Sequence, residues 1–221
     1  MKRNLCGLMA ALLMLSACQY HPRKANKYFV AFSQCNNAEP YRAAQNQLME
    51  KLFQQKGDVQ LVIADAQQDN SKQIAQIETF IRQKPDLLIV APNERAPLTE
   101  VMGRAMAAGI PVICLERDIA QPNYTTFIGA DNLAIGKMAG QFIVDRLTHK
   151  FGKPQGKVVE LRGLLGVEAE MERYNGAHEA LKAYPNIVVV HEAVADWLQS
   201  NARERMVEIL RAQPELSLIH I

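Results

Sequence analysis

The chain has 221 residues, is 48% hydrophobic and 22% charged, and carries a formal net charge of +2. Those proportions suit a soluble globular protein, and a charge so near zero supplies no field to steer nucleic acid or an anionic surface. Four cysteines, with no Cys-x-x-Cys and no His/Cys cluster, give no sign of a metal centre.

Lys2 and Arg3 open the chain as a short basic stretch, residues 5–15 are almost wholly apolar, and small residues follow at Ser16 and Ala17. This is the layout of a secretory signal, and its apolar run is too short to remain as a membrane span. Leu15-Ser16-Ala17-Cys18 looks like the lipobox of bacterial lipoproteins, in which the cysteine is acylated and becomes the new amino terminus. The alternative is an ordinary signal in which Cys18 is accidental. The expectation is a signal peptide over residues 1–17, lipidation at Cys18 and a polar tether over residues 18–27, with acyl chains anchoring the protein in the periplasm of a Gram-negative-type bacterium. Gln19, not Asp, follows the cysteine, which leaves an outer-membrane destination open. Loss of Lys2 and Arg3 brings the mature chain close to neutrality. Cys35 and Cys114 fall on different predicted strands, so two separate thiols are expected although the compartment allows a disulfide.

A regular alternation follows the tether. Residues 28–34 (YFVAFSQ), 59–66 (VQLVIADA), 87–92 (LLIVAP), 111–117 (PVICLER) and 125–131 (TTFIGAD) are short, apolar and rich in β-branched residues. Runs of that kind suit strands buried on both faces of a parallel sheet. Between them, Ile74, Ile77 and Ile81 share one helical face behind a cap read at Asn70 with Gln73 three residues on. Leu98, Val101, Met102 and Ala105 form the stripe of the next helix, with Pro97 in its first turn and Gly109 at its end. A helix starting near Asn132 carries Ile135, Met138, Ala139, Phe142 and Ile143. The pattern then restarts: strand 157–162 (KVVELR), helix 168–183, strand 187–191 (IVVVH), helix 197–211. Strand–helix alternation of this regularity predicts a doubly wound α/β architecture in two lobes, residues 28–130 and 131–215. The second lobe is expected to be incomplete, and residues 216–221 (LSLIHI) match the translation of a sequencing adapter, so they are expected to be foreign. The alternative for them is the beginning of a further strand.

In combination the ordered motifs resemble the type I periplasmic binding proteins of the ribose, galactose and galactofuranose group, whose fold is shared with the ligand domains of LacI-type repressors. FSQCNNAEPYRAAQ looks like that group's first strand and helix start, and IADAQQDNSKQIAQIETFI like its second. DLLIVAPNERAPLTEVMGRAMAAGIPVICLERD is the most telling stretch. FIGADN falls at the crossing between lobes, and VVELRG and MERYNGAHEAL fit the second lobe.

The resemblance implies a sugar held between the lobes, beyond the carboxyl ends of the strands. Glu116 and Arg117 occupy the family's acid–arginine pair, with Glu where relatives often have Asp. Tyr41 and Arg42 stand where many relatives have Trp-Arg. Arg173 matches the arginine of the second lobe, and Trp197 its aromatic residue. Asn36, Asn93 and Asp131 are further candidates that equally suit turns or caps. Planar charged groups satisfy adjacent hydroxyls in pairs, and an aromatic ring covers the C–H face of a sugar.

No GxGxxG follows the first strand, and there is no Walker A, GxSxG or HExxH, so capture without chemistry and without a cofactor is expected. Glu168, Glu170 and Glu172 are read as a solvated helix start, scattered over different faces. No helix-turn-helix precedes the first strand. The expected partners are a monosaccharide and the permease of an ABC transporter; the rival is the periplasmic sugar-sensing domain of a hybrid sensor histidine kinase.

Overall fold

A computed structural model describes residues 28–220. The signal, Cys18 and the tether lie outside the described residues.

Five parallel strands make the first sheet: β1 (Tyr28–Gln34), β2 (Val59–Asp65), β3 (Leu87–Val90), β4 (Val112–Leu115) and β5 (Thr126–Ile128), in spatial order β2-β1-β3-β4-β5. β1 reads as a near-continuous apolar run because both of its faces are covered. Val30 and Phe32 pack with Met49 and Phe53 of α1 (Pro40–Lys56) on one side. Ala31, Leu88 and Val90 pack on the other against Ile77 and Phe80 of α2 (Asn70–Gln83) and Leu98, Val101 and Met102 of α3 (Arg95–Ala107). Phe32 and Leu88 are completely buried, which stabilises the fold by about 1.5–3 kcal/mol for each such side chain.

Two local readings change. The cap of α2 is Asp69, whose carboxylate accepts from the Lys72 amide at 3.0 Å, one residue before the position read from sequence. Gln73 is not a cap partner. Fully buried, it donates to Ala91 O at 2.9 Å and accepts from the Asn93 amide at 2.8 Å, which ties α2 to the loop after β3.

β5 leads into α4 (Asn132–Phe151), and the second sheet follows: β6 (Gly156–Arg162), α5 (Glu168–Leu181), β7 (Ile187–Val194), α6 (Gln199–Ala212) and β8 (Leu218–His220), in strand order β7-β6-β8 and again parallel. β8 lies within the terminal segment set apart above and pairs with β6. β7 runs three residues past the predicted end, so His191 is an exposed residue inside a strand, not at its tip. α6 begins at Gln199, which leaves Trp197 in the preceding loop.

The seam between α4 and α5 is built on glycine. A Cβ on Gly136 would overlap the backbone of Arg173, and one on Gly140 would sit 2.6 Å from Ala177 O. The missing side chains let the two helix backbones touch. Cys35 and Cys114 are both free and buried, as expected of two separate thiols.

Candidate functional site

The loops at the carboxyl ends of both sheets surround a cleft of about 590 Å³. Its first-lobe wall is an ionic network. Arg42, 1% exposed, stands in the first turn of α1 and hydrogen-bonds Glu116 through Nη1; its Nε lies 3.7 Å from Glu39. Glu39 also accepts from Asn36 Nδ2 at 2.9 Å and lies 3.5 Å from Arg117 Nη2. Arg117, 2% exposed, donates through Nη1 to Asn93 O at 3.0 Å. Burial pulls the pKa of the Arg117 guanidinium down, Arg42 adds to the effect, and Cys35, Glu39 and Glu116 oppose it. Charges withdrawn from water to this degree persist because they are paired; removing one partner of such a pair costs about 3–5 kcal/mol.

The loop after β4 aims these groups. Glu116 is in the left-handed region at φ +70°, uncommon for a residue with a side chain. Its amide donates to Ile128 O at 2.6 Å and the Arg117 amide donates to Leu115 O at 2.8 Å, so the turn is pinned between β4 and β5.

Arg173, Trp197, Asn132 and Ala169 supply the opposite wall. Arg173 Nε donates to Asn132 Oδ1 at 3.0 Å. Trp197 lies against Gly163, where a Cβ would run into the indole, and its ring centre is 4.7 Å from the Arg117 guanidinium. That cation–π contact joins the two lobes across the cleft.

Of the residues expected at a site, Tyr41, Arg42, Glu116, Arg117, Arg173 and Trp197 line this one cleft. Asn36 and Asn93 are 1% exposed and do not line it; they brace Glu39 and Arg117 from behind. Asp131 caps α4, accepting from the Ala134 amide at 2.8 Å, and is also absent from the lining. Glu39, Gln45 and Asn132 line the cleft without having been singled out. An acid beside Pro40, just before Tyr41-Arg42, was the available signal for Glu39.

The glutamates of α5 depart from the solvated reading. Glu170 is 4% exposed and accepts from Arg162 Nε at 2.7 Å. Glu168 and Glu172, four residues apart, share a face; burial, then the hydrogen bond and charge of Glu172, push the Glu168 carboxyl up to about 7. Elsewhere Glu160, His178 and Glu192 bring one ligand atom each to within 4.8 Å of one another, a grouping invisible in the sequence. His178 Nε2 is 2.8 Å from Glu160, while Arg162 lies 3.6 Å from Glu192, so the group already contains its own cation. Among the described residues no helix is long and apolar enough to cross a membrane.

A family model for a periplasmic binding protein domain matches residues 30–221. The ribose import binding protein of Bacillus subtilis is 29% identical over 96% of this chain and 70% of its own length. The galactofuranose-binding protein of Escherichia coli is 33% identical over 83% of this chain and 57% of its own. Among solved structures, the fructose-binding periplasmic domain of a hybrid two-component system has a TM-score of 0.80 at 33% identity, covering 87% of this chain and 62% of that one. A galactofuranose-binding protein has a TM-score of 0.79 at 31% identity, covering 85% and 63%.

Proposed function

The chain belongs to the periplasmic binding protein domain family, and from that premise we propose that its cleft captures a monosaccharide outside the cytoplasm and delivers it to an ABC-type sugar transporter. The supporting observation is the composition of the cleft: three arginines, two glutamates and one indole face a single cavity. Guanidinium groups donate in pairs to adjacent hydroxyls, carboxylates accept from them, and the indole covers a C–H face. Among the described residues, the buried Arg42 Nε and Arg117 Nη2 face Glu39 at 3.7 and 3.5 Å without completing a hydrogen bond, so ion pairing to one carboxylate holds both guanidinium groups at the cleft wall. Closure of the lobes would exclude water and strengthen every polar contact inside. The reading is binding without chemistry, and it assigns contact with the sugar to Tyr41, Arg42, Glu116, Arg117, Arg173 and Trp197. Acylation at Cys18 would tether the protein to the membrane.

One observation favours sensing instead: the fructose-binding domain of a two-component system matches as well as the galactofuranose-binding protein does. A thermal-shift screen of the full-length protein with pentoses, hexoses and their furanose-rich members tests the shared core of both readings, since a ligand that binds only the folded state raises its stability. A monosaccharide at 100 times its Kd would stabilise by about 2.7 kcal/mol; no shift with any sugar sinks the proposal. The complete gene separates the two readings, because an apolar run of about 20 residues after the lobes belongs to a sensor.

A further inference from the structure

Among the described residues, six other than glycine have positive φ, and four of them form two doublets. Gln67 (φ 56°) and Gln68 (φ 62°) follow β2; Asp196 (φ 53°) and Trp197 (φ 58°) follow β7. Each doublet therefore sits after the second strand of its own sheet and before the next helix. Left-handed backbone at bulky residues persists only where the surroundings fix it. The first doublet is fixed firmly: the Gln67 amide donates to Asp65 Oδ1 and the Gln68 amide to Cys35 O, both at 2.8 Å.

The doublets meet across the cleft. Gln68 Nε2 donates to the backbone carbonyl of Asp196 at 3.4 Å, a contact between residues 128 positions apart. Gln68 O accepts from Asn93 Nδ2 at 3.3 Å, Asn93 O accepts from Arg117 Nη1 at 3.0 Å, and the Arg117 guanidinium lies 4.7 Å from the Trp197 ring centre. The four contacts close a ring that passes from one lobe to the other twice. Gln68 does not line the cleft itself.

We infer that Gln68 is a positioning residue of the cleft, holding the Asp196–Trp197 turn against the first lobe so that the indole stays registered over Arg117. The inference deepens the reading of a two-lobed sugar clasp, and its readout uses no sugar. The left-handed backbone at Asp196 presents its carbonyl to the first lobe, and the length of the Gln68 side chain is what reaches it. The rigid doublet acts as the anchor and the second-lobe doublet as the part it holds.

Trp197 is the chain's only tryptophan, so acrylamide quenching of its fluorescence reads the contact directly, with no ligand present. Gln68→Asn keeps the amide and suits left-handed backbone but is one methylene too short. It is expected to raise the quenching constant about twofold by freeing the turn to open locally. Gln68→Glu keeps the length and removes the donor, and is expected to raise it at least as much. Gln67→Asn makes the same exchange at a neighbour that is exposed and is expected to leave quenching at the wild-type value, with all three variants melting where the parent does. Unchanged quenching in both Gln68 variants overturns the inference, as does an equal rise in Gln67→Asn. A Gln68 effect in a chain that binds no monosaccharide keeps this inference and removes the sugar reading. Sugar binding with no Gln68 effect does the reverse.

Discussion

The two walls of the cleft are made differently. The first-lobe wall is buried charge braced by buried amides: Arg42 and Arg117 are held by Glu39 and Glu116, with Asn36 and Asn93 behind. The second-lobe wall is an exposed arginine and one half-buried indole, each resting on a glycine. A wall whose charges are already paired undergoes little rearrangement on meeting a ligand, which is preorganisation. A wall set on glycine has its position fixed by close backbone approach instead. On the proposed reading, the first would fix which groups face a sugar and the second how near they come.

That contrast can be broken in order of expected effect. Arg117→Ala removes a deeply embedded charge and leaves Glu39 short of a partner. Calorimetry with the sugar found in the screen should show affinity falling more than about 100-fold, in keeping with about 3–5 kcal/mol for breaking a buried pair. Unchanged affinity would remove the first wall from the site. Gly136→Ala places a methyl group against the backbone of Arg173. Forcing α4 and α5 apart should cost about 1–3 kcal/mol, seen as a lower denaturation midpoint, with weaker binding because Arg173 moves. If binding weakens while stability holds, the glycine seam acts on the site alone. Trp197→Ala removes a stacking face from a loop, so about tenfold weaker binding with little loss of stability is expected.

The smallest effect concerns pH. The Glu168 carboxyl is held at about 7, above its ordinary 4.5, so the folded chain keeps this proton longer than the unfolded one. The stability from that preference is present below about pH 4.5 and is lost as pH rises to about 7. Because the group is only partly buried, the change should stay below about 1 kcal/mol after solvent screening. Glu168→Gln should flatten the melting temperature between those pH values; an unaltered slope would assign it elsewhere.

Much of this was legible from sequence where the cause was local. Val30, Ala31 and Phe32 declare a strand covered on both sides, and the stripe Leu98, Val101, Met102 declares the face of α3. Glu116-Arg117 follow the end of a strand and Tyr41-Arg42 open the helix after one, and the family resemblance assigned both pairs to the rim. What stayed hidden depends on partners distant in the chain. That Glu39 binds both Arg42 and Arg117, that Asn93 supports Arg117, and that Glu170 is buried on Arg162 all follow from packing. Asn70 was read as the cap because it opens the periodic run, while Asp69 does the work one residue earlier. Neither hydropathy nor periodicity distinguishes such neighbours.

The two sheets repeat one plan. In each, the first strand lies inside and the second outside: β1 within β2, β6 within β7. The helix after the first strand carries an arginine to the cleft, Arg42 on α1 and Arg173 on α5. The loop after the second strand carries a left-handed pair. On the proposed reading, opposite edges of a sugar ring in the cleft would meet matching parts of two sheets laid out on the same plan. A flat molecule with hydroxyls on both edges would match that layout, whereas one polar at a single end would leave half of it unanswered.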